Sequence, residues 1–145
     1  MQVKVIWNGR MQFTGVSDDG HQVVMDASPE AGGEGKGIKP TELLLMSAAG
    51  CSGINIMLIL GKMREQVTDF AVEVEGERRE SDPRSFNLIR LLFKLGGEIK
   101  PANAERAIRL GLEKYCSVVN SLRAKFVYAY EINGVRYPEN EFTPS

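Results

Sequence analysis

Two cysteines stand apart from the rest of the chain by their surroundings. Cys51 lies within Ala48-Ala49-Gly50-Cys51-Ser52-Gly53, where small side chains leave room for a substrate or a second thiol. Cys116 lies within Glu113-Lys114-Tyr115-Cys116-Ser117-Val118, at a predicted junction between helical segments. A cysteine reacts as thiolate, a form favoured by a helix N-terminus or an adjacent cation. The start at Cys116-Ser117-Val118 has the first character. Cys51 falls deep inside a long predicted helix unless Gly50 interrupts it, so its activation is expected to come from a neighbouring cation. The residues alone leave two readings open: a redox pair, or two small buried hydrophobes, as free cysteines usually are.

Other chemistry finds less support. Two cysteines and one histidine are too few for a zinc or iron–sulfur site made from Cys and His, so no metal is expected. His21 sits on a predicted strand without an accompanying motif. Gly32-Gly33-Glu34-Gly35-Lys36-Gly37 resembles a phosphate loop, but no Ser or Thr follows Lys36 and no helix starts there, so neither nucleotide-binding pattern is satisfied. Glu77, Arg78, Arg79, Glu80, Asp82 and Arg84 read as a solvated turn, from which one arginine could still reach a thiolate. Phe126, Tyr128 and Tyr130 read as core and sheet face.

The elements that must position the cysteines follow from hydrophobic period. Val3, Val5 and Trp7 alternate with polar neighbours, Asn8-Gly9 and Asp18-Asp19-Gly20 carry turn chemistry, and the first third reads as an antiparallel meander. Ser28 to Lys39 holds four glycines in twelve positions and is expected to be a mobile loop. Pro40 opens a helix at the position where a missing N–H costs nothing. Leu43 to Leu60 then runs eighteen residues without a charge. That length touches the membrane-spanning threshold, but the centre carries Ser47, Gly50, Ser52, Gly53 and Asn55, and a buried core helix is the expectation.

Phe70 to Val74 and Ile89 to Leu95 alternate as half-buried strands, and Pro101 starts a helix with Ala104, Ile108, Gly111 and Tyr115 on one face. Phe126 to Ile132 is a last strand, and the tail from Tyr137 to Ser145 has no assigned element. The order indicates an α+β class in one domain, residues 1–145.

Apolar residues make up 43% and charged residues 26% of the chain, which excludes disorder as the main state. Eighteen basic against nineteen acidic residues leave a net charge of −1, so the field that drives general nucleic-acid or anionic-membrane binding is missing. The opening MQVKVIWNGR has no apolar signal core, and a reducing cytoplasm is expected.

Pro40-Thr41-Glu42-Leu43-Leu44, the small-residue run into Cys51, the strand entry from Pro83 to Phe86, and Cys116 after its helix come in an order that resembles the OsmC/Ohr family. These are osmotically inducible and organic-hydroperoxide-resistance proteins, and the resemblance covers nearly the whole chain. It implies antiparallel sheets wrapped around a long buried central helix, in an intertwined homodimer with active sites at the subunit interface. It further implies a peroxidase that needs no metal or organic cofactor. Cys51 is then the peroxidatic residue, Cys116 the resolving one, an organic hydroperoxide the substrate and an external dithiol the reductant.

The same resemblance matches Arg10, in Asn8-Gly9-Arg10, by position to the family arginine that partners the thiolate, with Arg79 and Arg84 as rivals. The family glutamate that helps the arginine falls at Thr41. Glu42 stands one residue later, about 100° around a helix, and is the candidate catalytic residue for that role. Ser117 follows Cys116 where many relatives carry Pro. The expected activity is therefore that of a divergent OsmC-like peroxidase in oxidative stress defence. The alternatives are a non-enzymatic binding or redox-sensing protein on the same fold, and a structural dimer module with packing cysteines.

Overall fold

Alternating side chains and two tight turns build the first 25 residues of the computed structural model, which describes residues 1–145. Strand β1 (Val3–Gly9) pairs antiparallel with β2 (Gln12–Ser17), which pairs with β3 (Gln22–Met25). The first turn needs left-handed backbone at Gly9 (φ 107°) and Arg10 (φ 51°), and only the glycine adopts it without a Cβ penalty. The chain divides into two compact units, Met1–Leu44 and Leu45–Ser145, and the meander belongs to the first.

The glycine-rich segment is not the mobile loop its composition suggests. Asp26, only 3% exposed, accepts hydrogen bonds from the backbone N–H groups of Ala27 (2.8 Å), Glu34 (3.2 Å) and Lys36 (3.1 Å). The Lys36 bond contributes most to holding this carboxyl below the usual range. Ile38 donates to Val24 O and accepts from Asp26 N, which pins the far end of the loop to β3. A Cβ on Gly33 would lie 1.9 Å from Ala27 O, so glycine is used there for close approach. Loops carry no apolar cost when their amides find a buried acceptor, and Asp26 is that acceptor.

Helix α1 (Pro40–Lys62) starts at Pro40 as expected and runs without interruption past Gly50 and Gly53. It ends where Arg64 turns left-handed (φ 59°), with Arg64 N bonded to Gly61 O and Glu65 N to Leu60 O, the paired closure of a Schellman motif.

The second unit is built on a five-stranded sheet. β4 (Gln66–Arg78) and β5 (Phe86–Glu98) form a long antiparallel hairpin. β6 (Lys125–Ile132) pairs parallel to β5, a departure from the wholly antiparallel expectation. Parallel neighbours need a crossover, and the chain supplies one: α2 (Pro101–Arg109), a π-helical turn (Leu110–Lys114) and the short α3 (Ser117–Asn120). β7 (Val135–Arg136) and β8 (Asn140–Phe142) both pair with β6. β8 gives the unassigned tail an element, with Phe142 opposite Phe126.

The core face of the sheet carries Ile89, Leu91, Phe93, Leu95, Phe126, Tyr128, Tyr130 and Ile132, all buried. Against it α1 buries the stripe Ala48, Ser52, Ile56 and Leu60, spaced every four residues. The expectation of a helix buried all round is not met within one chain. Met46 (58% exposed), Ile54 (66%) and Leu58 (59%) face outward, because a single sheet face covers only one stripe of a helix. Tyr115, placed on the buried face by helical spacing, is also exposed. The π turn, with Tyr115 N bonded to Leu110 O, inserts an extra residue and rotates the face after Gly111.

Candidate active site

Cys51 projects from the middle of α1, partly buried, and Cys116 is the fully buried residue that caps α3. The helix brings Ala48 and Cys51 one turn apart, and the carbonyl of Ala48 accepts both the Ser52 hydroxyl (2.8 Å) and the Cys116 thiol (3.9 Å). Cys51 Sγ stands 3.8 Å from Ser117 Oγ. The two cysteines flagged by their sequence neighbourhoods are thus brought together, with each sulfur acting on the ionisation of the other.

The first amides of α3 have no acceptor inside their own turn, and the two sulfurs divide them. Val119 N donates to Cys116 Sγ at 3.4 Å. The N–H groups of Val118 and Ser117 favour the anion at Cys51. Burial pushes the Cys51 thiol up, but these amides, the Cys116 thiol and the Ser117 hydroxyl outweigh it and leave Cys51 below the ordinary value of 9.0. Cys116 goes the other way: burial, with the neighbouring Cys51 sulfur adding to it, pushes its thiol up to about 11 against the opposing Val119 amide. One sulfur is poised to ionise and the other to keep its proton.

The expected source of activation is a neighbouring cation. The groups acting most strongly on Cys51 are amides, a hydroxyl and a thiol, and no cation is among them. The helix start expected to serve Cys116 serves both sulfurs: Val119 N donates to Cys116, and the Val118 and Ser117 amides favour the anion at Cys51. Arg10, within the first unit, pairs with Glu34 (Nη1 to Oε1, 3.1 Å), and its carbonyl accepts the Trp7 indole N–H. Glu42 is occupied at the start of α1: its carboxylate accepts Lys39 N (3.2 Å) and pairs with Lys39 Nζ (3.5 Å). A glutamate at the third helical position reaching back to the N-cap amide is half of a capping box. Of the rival arginines, Arg79 donates its N–H to Ser85 O and Arg84 accepts from Arg78 Nε, both within the β4–β5 turn. His21 pairs with Asp19 at the surface, and no group of His, Cys, Asp and Glu is arranged to hold a metal.

Two supporting residues escaped sequence reasoning. Asn120 donates to the carbonyls of Glu113 (3.0 Å) and Cys116 (2.9 Å), tying the π turn to the cap. Tyr128 donates its hydroxyl to Glu113 at 2.6 Å, anchoring the same turn to β6. The placement of Asn120 four residues after Cys116, one helical turn on, was the only available signal. An apolar groove of about 630 Å³ runs between α1 and β4, lined by Gly50, Gly53, Ile54, Met57, Leu58 and Phe70 on a face of the helix that does not include Cys51.

Residues 33–130 match the family model described as OsmC-like protein. The protein YhfA of Escherichia coli strain K12 is 41% identical over 135 residues, covering 91% of this chain and 98% of that one. Among solved structures, the OsmC like protein from Mycoplasma pneumoniae superposes with a TM-score of 0.78 at 19% identity, covering 90% of this chain and 95% of that one. The organic hydroperoxide resistance protein OsmC from Legionella pneumophila does so with a TM-score of 0.66 at 17% identity, covering 90% and 94%. A long central helix with two sheets, two facing thiols and these matches agree, and the chain belongs to the OsmC-like protein family.

Proposed function

We propose that the protein is a thiol-dependent peroxidase that reduces organic hydroperoxides. The observation that carries this reading is the placement of two free thiols at one helix crossing, Cys51 beside Ser117 Oγ and Cys116 bonded to Ala48 O of the same helix turn, with Cys51 shifted toward ionisation and Cys116 away from it. The Cys51 thiolate attacks the terminal oxygen of ROOH; the O–O bond breaks, Cys51 becomes sulfenic acid, and the alkoxide takes a proton to leave as ROH. The Cys116 thiol then attacks the sulfenic sulfur, losing its proton as water departs with the sulfenic oxygen. The resulting disulfide is returned to two thiols by an external dithiol, which becomes the oxidised partner. The exposed apolar side chains of β1 and α1 support a homodimer, and a reducing cytoplasm suits two free thiols.

Steady-state consumption of cumene hydroperoxide, with dihydrolipoamide or dithiothreitol as reductant, tests the reading. Cys51→Ser is expected to abolish turnover, and Cys116→Ser to stop after one oxidation. Undiminished turnover by Cys51→Ser would reject the mechanism. A second reading, a redox sensor or binder of apolar molecules, is favoured by Glu42, whose carboxylate is engaged in capping α1. It predicts one stoichiometric oxidation of the thiols and no sustained turnover with either dithiol.

A further inference from the structure

Ser117 has a side chain that the proposed reaction does not yet use. Its residue is exposed, its carbonyl is taken by the Ser121 hydroxyl (2.7 Å), and its own hydroxyl stands 3.8 Å from Cys51 Sγ. With Cys51 protonated, either group can donate in that contact. Once Cys51 ionises, the sulfur has no proton, so only the Ser117 hydroxyl can donate. The contact therefore acquires a fixed direction and a charged acceptor, which makes such a bond stronger.

We propose that Ser117 is a positioning residue for Cys51, its hydroxyl directed at the ionised sulfur so that the thiolate is oriented by the residue next to the resolving cysteine. This deepens the peroxidase reading and rests on it for its catalytic consequence. The position also explains how one short segment serves both sulfurs. Cys116 is tied back to Ala48 O and Val119 N, while the next residue reaches the neighbouring thiol. The lowered thiol of Cys51, to which this hydroxyl contributes, agrees with the geometry.

The test is the rate of iodoacetamide alkylation of Cys51, followed by peptide mass across pH 5 to 10, in wild type, Ser117→Ala and Ser117→Thr. Loss of one hydrogen bond to a charged group, partly offset by the higher intrinsic reactivity of a more basic sulfur, is expected to slow Ser117→Ala about threefold at pH 7. Its midpoint moves to higher pH, and above both midpoints the variant catches up with wild type. Ser117→Thr, which keeps the hydroxyl, stays within about twofold of wild type. Superimposable Ala and wild-type profiles, or equal slowing by Ala and Thr, would overturn the proposal. Peroxide turnover is measured separately, so a protein without turnover would defeat the peroxidase reading while leaving the alkylation profiles to decide the role of Ser117.

Discussion

At the residue scale the site is an unequal pair of sulfurs. Cys51 shares solvent and receives amide and hydroxyl donors; Cys116 is enclosed and keeps its proton to about 11. This difference couples to stability with a definite sign. Because Cys51 is lowered, the folded protein releases that proton before the unfolded chain does, and stability rises with pH up to the ordinary thiol value of 9.0. Because Cys116 is raised, the unfolded chain ionises first, and stability falls from 9.0 through about 11. Urea unfolding of wild type and Cys116→Ala between pH 7 and 11 is expected to show the alkaline decline shrinking in the variant. A decline of equal size in both would place its origin in other groups.

At the scale of elements, the π turn decides where the second sulfur goes. Gly111 lets it lie against α1: a Cβ there would meet Ile56 Cγ1 at 2.6 Å and Ile56 N at 3.0 Å, and backbone cannot move aside as a side-chain tip can. Gly111→Ala is expected to destabilise the protein by about 1–3 kcal/mol, as overpacking does. It should also slow Cys51 alkylation, because the segment carrying Ser117 is displaced with it. Urea midpoints and alkylation rates on the same preparation check both effects. Normal stability would mean that the helices separate freely at this crossing. The end of α1 offers a milder change. Arg64 holds a left-handed backbone at roughly 1–2 kcal/mol, and Arg64→Gly should raise the urea midpoint slightly, since the gain is partly offset by the greater freedom of an unfolded glycine.

For the whole molecule, the question is what covers its apolar surface. In the first unit, Val3, Val5 and Trp7 are 73%, 55% and 64% exposed; in the second, α1 shows Ile54, Met57 and Leu58. Exposed apolar side chains clustered in either unit mark interaction sites. A homodimer is the occupant proposed above, and sedimentation velocity at micromolar concentration is expected to give a dimer mass. Leu58→Glu puts a charge on the exposed stripe and should shift the mass toward monomer. A wild-type monomer at all concentrations would reject the assembly.

Much of this was legible in the residues. Strand alternation, Pro40 and Pro101 at helix starts, and the small-residue setting of Cys51 are local properties, encoded within a turn or a few strand residues, so they could be read without the fold. The two cysteines were legible for the same reason. The groups that favour ionisation of Cys51 were not, since Ser117 and Val118 come from another helix and meet it only after the crossover returns the chain. Asp26 also lay hidden. A single carboxylate organising the glycine loop depends on burial, which composition does not record.

Sequence by itself determined the elements, their order, the family likeness and the identity of the two sulfurs, because these rest on period, turn chemistry and residue type. Tertiary structure alone decided the parallel partner of β5, the rotation imposed by the π turn, and the opposite shifts of the two thiols. Each of these depends on which distant groups share a desolvated space, where burial raises one thiol and unpaired amides lower the other.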